Sequence, residues 1–415
     1  MVRLRHADSV RTEMRAGSVV SLSGLLDPVP RRRNPGDRDP RFSYCLHDIT
    51  GVVTAEGADV KGAVAGDPSI GGIVASVRRK LGEILERHHE GEIRSYLKGI
   101  VLAMRSEMSD EQREAFLVSG TFHVIAVSGL HVGLITVMLH AVLGLFSLPR
   151  KALPIATMAG VLAYVVSVGS SPSVVRAVIM ACVVLGGRLV ERPVDVFQSL
   201  GVAGSIVMLL DPVQLFDPGF QLSFAAVFAI VTLFPLWSHS LEHVRSRTIA
   251  GRIVRAGIQL LMVSLAAQLG TLPLTILLFE RISLVSLAAN LVIVPMSSLN
   301  VALGIATLAL DSVAGFLAAP YAALNDLVAL GVLASARMAS HIPGAAVSSA
   351  GWSVFSACAL SVGLIGILSL RRPAIVRATL LSLLALADAW LFSGLTDVPV
   401  RELRVTLLDV GQGDA

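Results

Sequence analysis

Gly257-Ile-Gln-Leu-Leu-Met-Val-Ser-Leu-Ala-Ala-Gln-Leu-Gly-Thr-Leu-Pro-Leu-Thr-Ile-Leu-Leu-Phe279 contains no Asp, Glu, Lys or Arg. A helix crosses the hydrocarbon core of a bilayer in roughly 20 apolar residues, and this run is long enough. Outward from it the pattern recurs: Ala152 to Gly169, Trp352 to Leu370 and Arg377 to Gly394 are almost free of charge. Over 415 residues the chain is 54% hydrophobic and 15% charged, with a mean hydropathy of +0.73, whereas soluble domains run near ~25% charged. The expectation is a mainly α fold, a polytopic transmembrane helical bundle, and the balance excludes an ordinary soluble enzyme.

About ten spans are expected, near residues 123–148, 152–169, 173–190, 197–210, 220–238, 257–279, 284–310, 314–336, 352–370 and 377–395. The fourth is short enough to be re-entrant, and Pro273 and Pro295 point to broken or kinked helices. Basic residues fall in alternate connections: Arg150 and Lys151, Arg188 and Arg192, Arg245 to Arg255, then Arg371 and Arg372. The positive-inside rule makes those connections cytoplasmic, and with an even number of spans both chain ends face outward.

The flanks read differently. Residues 1–70 alternate short β-type stretches with Pro, Gly and Asp clusters and are expected to form a small, incomplete β-rich unit. Residues 71–119 read as amphipathic linker helices lying on the membrane surface or against that unit, with Ser109-Asp-Glu-Gln supplying an N-cap. Residues 120–396 carry the spans, and 397–415 read as one strand running into a Gly-rich turn. Three scattered cysteines do not make a disulfide framework.

Polar residues inside apolar spans are costly and mark candidate sites. Ser128, Gly129 and His131 stand at the entrance of the first span, where they either line a polar path or cap and pack a helix. Arg176 lies a turn into the third span, placed to snorkel to the interface or to point into a polar path. Asp217 and Gln221 sit at the start of the fifth span, with Gln268 and Asn290 deeper in the sixth and seventh. Amides at such depths also serve as interhelical hydrogen-bond glue. His123, His131 and His140 do not share a helical face, and no carboxylate or thiol cluster joins them, so neither a metal nor a cofactor is expected. No nucleophile elbow, phosphate-binding loop or zinc-protease motif appears, so no catalytic residue is assigned.

Five ordered segments resemble the ComEC family of competence proteins: His123-Val-Ile-Ala-Val-Ser-Gly-Leu-His-Val-Gly, Pro172-Ser-Val-Val-Arg-Ala-Val-Ile-Met, Asp217-Pro-Gly-Phe-Gln-Leu-Ser-Phe, Ala267-Gln-Leu-Gly-Thr-Leu-Pro-Leu and Ala289-Asn-Leu-Val-Ile-Val-Pro. Asp211-Pro and Leu408-Asp-Val-Gly-Gln-Gly-Asp add to the likeness.

The resemblance implies a bacterial plasma-membrane channel component for single-stranded DNA in natural transformation, partnered by lipid and by other competence-machinery proteins. It further implies that residues 1–70 are part of an OB-like domain and 397–415 the first strand of a metallo-β-lactamase-like domain, so that the chain is a fragment without a nuclease site and not an enzyme. On that reading Arg176, Gln221, Gln268 and Asn290 are the residues placed near the strand's path. Arg38, Arg41, Phe42 and Tyr44 are possible DNA contacts in the outer unit, against the plainer reading of a solvated basic loop. The competing functions are a secondary transporter of a small solute and a non-catalytic membrane scaffold.

Overall fold

A computed structural model describes residues 2–5, 19–22, 25–30, 41, 44, 49–56, 60–64, 70–125, 129–168, 172–191, 195–239, 248–279, 281–348, 354–368 and 377–387. By contact density the chain divides into two compact units, 1–77 with 395–415 and 78–394.

In the first unit five short strands form two small sheets. β1 (Val2–Arg5) runs parallel to β4 (Gly51–Glu56), which pairs antiparallel with β3 (Leu25–Pro28), and β2 (Val19–Leu22) pairs antiparallel with β5 (Val60–Val64). The strands lie in the stretch whose sequence alternates. The strand expected near residue 404 lies outside the described residues.

The second unit is mainly α. The helix α1 (Ile70–His88) leads into it, followed by α2 (Gly91–Leu102), α3 (Asp110–Val118) and α4 (Phe122–Ile125). Ten more helices follow: α5 (Gly129–Gly144), α6 (Ala152–Val168), α7 (Pro172–Leu189), α8 (Val196–Leu210), α9 (Pro218–Ser238), α10 (Ile249–Phe279), α11 (Ser286–Asp311), α12 (Gly315–Ser340), α13 (Val354–Leu368) and α14 (Arg377–Ala387). Each coincides with one of the apolar runs. Among the described residues α9, α10, α11 and α12 are long and apolar enough to cross a membrane, and α8, at 15 residues, is shorter. Outward-facing apolar side chains such as Leu327, 66% exposed on α12, fit a bundle solvated by lipid rather than water.

Two expectations give way. Of the broken or kinked helices expected at Pro273 and Pro295, the broken form does not occur, since α10 and α11 continue through both prolines. Packing supplies the reason: α11 lies against α2, α5, α10 and α12, and losing one backbone bond does not outweigh those contacts. The second concerns α2, which packs on α11 and α12 with Ser95 to Leu102 all buried, rather than lying on a surface. Its charge is accommodated because Lys98 Nζ donates to Glu86 at 2.7 Å and to Glu107 at 2.6 Å. Burial pushes the Lys98 ammonium down, but the two carboxylates outweigh it and hold its pKa above the ordinary value.

The elbow between α1 and α2 is pinned to the α11–α12 pair. Arg87 and His88 both reach Asp311, at 2.9 and 2.7 Å, and His89 Nδ1 meets Asp326 at 2.6 Å. Arg337 of α12 pairs with Glu92 of α2. As expected, Ser109 caps α3 through a capping box with Gln112. At one end of the unit β6 (Arg281–Ser283) pairs antiparallel with β7 (Ala346–Ser348), and Ser283 Oγ donates to the Val118 carbonyl at 2.8 Å.

Between α11 and α12 the buried Asn300 donates through Nδ2 to the Asn325 carbonyl at 3.0 Å and to Asn325 Oδ1 at 2.7 Å, while Tyr96 Oη donates to Asn300 Oδ1 at 3.4 Å. Interhelical bonds of this kind contribute about 0.6 kcal/mol each, up to about 1.7. Asn300→Leu removes all three and strands the Asn325 side chain, so it is expected to cost about 2 kcal/mol in denaturation of the detergent-solubilised protein. An unchanged midpoint would show that the asparagines do not hold the pair together.

Candidate functional site

The α7 sequence places side chains at helical spacing on one face: Arg176 and Ala177, Met180 and Ala181, Val184 and Leu185, then Arg188. That face lines a cavity of about 540 Å3. Opposite it α5 contributes Gly129, Gly133, Thr136, Val137, His140 and Ala141, and Leu200 of α8 with Ser223, Phe224 and Val227 of α9 complete the wall. The two arginines stand at either end of the α7 face, twelve residues apart, which is ~18 Å at about 1.5 Å per residue. Among the described lining residues there are two arginines and no carboxylate.

Gly129 and Gly133 of α5 stand at an i, i+4 spacing that favours close helix packing, yet only the first has a neighbouring helix at contact distance. A Cβ on Gly129 would meet Ala177 Cβ at 3.6 Å, an ordinary contact, and one on Gly133 would meet nothing within 4 Å. Gly133 therefore leaves space rather than bringing two helices together.

Arg176 is 2% exposed. Its Nη2 donates to the Gly219 carbonyl at 2.6 Å, and its guanidinium lies 5.5 Å from the centroid of Phe220 and 5.9 Å from that of Phe224, two rings stacked on each other at 4.2 Å. Nε and Nη1, which carry three of the five guanidinium N–H groups, have no hydrogen-bond acceptor among the described residues.

The sequence builds this arrangement locally. Asp217 Oδ1 accepts from the Phe220 N–H at 2.8 Å and caps α9, Pro218 occupies the first turn, and a Cβ on Gly219 would stand 2.9 Å from Asp217 Oδ1. A well-capped α9 start then holds the Gly219 carbonyl and the Phe220–Phe224 stack beneath Arg176.

At the other end Arg188 Nη1 donates to His140 Nε2 at 3.2 Å. His140 Nδ1 lies 3.0 Å from Thr157 Oγ1, which donates to the Leu153 carbonyl at 2.8 Å. A guanidinium can only donate, so Nε2 is the acceptor, and the Nδ1–H tautomer donating to Thr157 satisfies the whole relay.

Of the residues singled out from sequence, the structure brings Gly129 and Arg176 together in the cavity wall. His131 is buried in α5 and is not among the described lining residues. Asp217 serves as the α9 cap, and Gln221 Nε2 donates to the Leu215 carbonyl, ahead of that cap, at 3.1 Å. Gln268 Nε2 donates to the Ser283 carbonyl at 3.4 Å, and Asn290 is buried in α11, both away from the cavity lining. Ser128, Arg38 and Phe42 lie outside the described residues, whereas Arg41 and Tyr44 are described but fall in the other compact unit. Gly133, Thr136, Ser223 and Phe224 were not assigned to the site from sequence. The i, i+4 run Gly129, Gly133, Val137, Ala141 was the legible signal for the first of them.

A family model described as "Competence protein" matches residues 100–374, which include every described residue of the cavity wall. The ComE operon protein 3 of Bacillus subtilis (strain 168) is 33% identical over 201 residues, 48% of this chain and 24% of that protein. The aligned stretch thus spans about a quarter of the curated relative. No solved structure matches.

Proposed function

The chain belongs to the competence protein family, and from that premise we propose that it is a multi-pass inner-membrane component through which single-stranded DNA is taken up. The observation that carries this reading is Arg176: a buried arginine with unmatched donors, in the wall of a helix-lined cavity with an arginine at its far end. Moving a polyanion through hydrocarbon requires a path lined by groups that replace water at its phosphates. A guanidinium whose Nε and Nη1 have no acceptor among the described residues supplies such a group. A transporter of small solutes is less well supported, since the described cavity wall offers a long arginine-to-arginine span instead of a compact cluster of convergent polar groups.

In this proposal the basic connections face the cytoplasm, the Arg188 end of α7 is the inner end of the path, and both chain termini lie outside. No reaction is assigned to the residues of this chain, and its partners are the DNA strand, lipid and other proteins of the uptake machinery.

Gly133 provides the test. A Cβ there would meet nothing within 4 Å and the position lines the cavity, so Gly133→Phe directs a ring into that space and removes a helix-interior glycine that costs about 1 kcal/mol relative to alanine. The expected outcome is normal protein level and normal DNA binding at the cell surface, with transfer of labelled DNA into the cytoplasm falling at least tenfold. Undiminished transfer by a stably folded Gly133→Phe would take the cavity out of the path.

A further inference from the structure

We infer that the cavity grips a single strand at two points, one phosphate against Arg176 and another against Arg188, with the intervening bases lying on the apolar wall of α7. The inference rests on the strand path proposed above and adds its contact geometry. Three observations lead to it.

The first is a buried cation with unmatched donors. Arg176 is buried with three N–H groups lacking acceptors among the described residues; the Asp217 carboxylate at the α9 cap acts on its charge, yet leaves those donors unmatched, and no carboxylate stands among the described lining residues. A buried cation in this state gains most from an anion that enters the cavity.

The second is spacing. A single anionic head group satisfies one arginine and leaves the other, ~18 Å away along α7, unmatched. A strand carries a phosphate about every 3.4 Å when stacked, so ~18 Å corresponds to about five steps, and to fewer when the strand is stretched. A repeating anion meets both ends at once within one molecule.

The third is the wall between them. Ala177, Met180, Ala181 and Val184 are small or apolar, and Phe224 presents an aromatic ring nearby, which suits bases through their faces and without regard to sequence. Arg188 is exposed, and its one hydrogen bond among the described residues runs from Nη1 to His140, so its other donors can turn to a phosphate.

The purified chain in nanodiscs of phosphatidylcholine, titrated with fluorescent oligothymidylates from dinucleotide to decanucleotide across a salt series, tests the grip. Affinity is expected to climb with length until the strand bridges both arginines and then to level. For single strands each phosphate contact adds about 0.7 to the slope of log K against log salt. Arg176→Gln and Arg188→Gln are each expected to lower that slope by about 0.7, and the double variant by about 1.4, while Arg150→Gln, in the exposed α5–α6 connection, leaves it unchanged. Arg188→Gln sits at an exposed helix end, so the result can be read even if Arg176→Gln folds poorly.

Strand binding with an unchanged slope in Arg188→Gln would overturn the two-point grip and leave the path to other residues. No strand binding at all in the wild-type chain would overturn the path as well. Loss of strand binding on adding phosphatidylglycerol, with Arg188→Gln abolishing that competition, would assign the cavity to an anionic lipid instead.

Discussion

Arg176→Leu is expected to cut DNA transfer on the order of 10- to 100-fold while leaving the protein at least as stable as the wild type. The first number follows from losing charge-assisted hydrogen bonds, about 1.5–3 kcal/mol in an enclosed site, where each 1.4 kcal/mol is a factor of ten. The second follows from the cost of the residue as it stands. Arg176 is desolvated; its described interactions are one bond to the Gly219 carbonyl, two aromatic neighbours and the nearby Asp217 carboxylate, and Nε and Nη1 have no acceptor among the described residues. Replacing an incompletely paired buried charge by an apolar side chain of similar size is commonly neutral or stabilising by about 1–4 kcal/mol.

A structural arginine behaves the opposite way: its removal lowers stability, and transfer falls only as far as protein level falls. Thermal denaturation in detergent and transfer of labelled DNA, measured on the same variant, separate the two. If stability and transfer drop together, Arg176 holds the bundle and does not serve the strand.

Gly120→Ala is expected to be among the most destabilising single changes in the chain. Gly120 closes the turn between α3 and α4 at φ +72°, a left-handed conformation that costs an L-residue about 1–2 kcal/mol. A Cβ there would stand 2.6 Å from Ser286 Cβ and 2.8 Å from Ser283 Cβ, where β6 passes into α11. Ser283 cannot retreat freely, because its hydroxyl holds the Val118 carbonyl and its strand pairs with β7. Overpacking of this kind adds about 1–3 kcal/mol, so the total comes to roughly 2–5 kcal/mol. The measurement is the denaturation midpoint of the purified variant, and a change smaller than that of Asn300→Leu would show that the turn relaxes.

The architecture was legible because its governing signal is composition. Each apolar run became a helix, since a chain in lipid must satisfy its backbone internally, and that requirement does not depend on which helices are neighbours. Arg176 was legible for the same reason, as a charge standing in an apolar run.

What could not be read depends on helix rotation and contact. Gln221, Gln268 and Asn290 look equivalent to Arg176 as polar residues in or beside spans, yet Gln221 bonds back to Leu215, ahead of the α9 cap, and Gln268 reaches β6, a strand paired with residues some sixty positions later in the chain. The spacing of Gly129 and Gly133 is a packing signal, but only the position of α7 shows that Gly133 faces space. The amphipathic pattern of residues 71–119 suggested surface helices, and only the meeting of Lys98 with Glu86 and Glu107 shows how α2 is buried with a charge.

The central claim is that the strand passes along the α7 face, and site-specific photo-cross-linking tests it most directly. A photoreactive side chain at Met180, midway between the arginines, is compared during uptake of labelled DNA with one at Leu327, which points outward from α12. The account predicts adducts with single-stranded DNA at position 180 and none at 327. DNA adducts at 327 with none at 180, in variants that both still take up DNA, would contradict it.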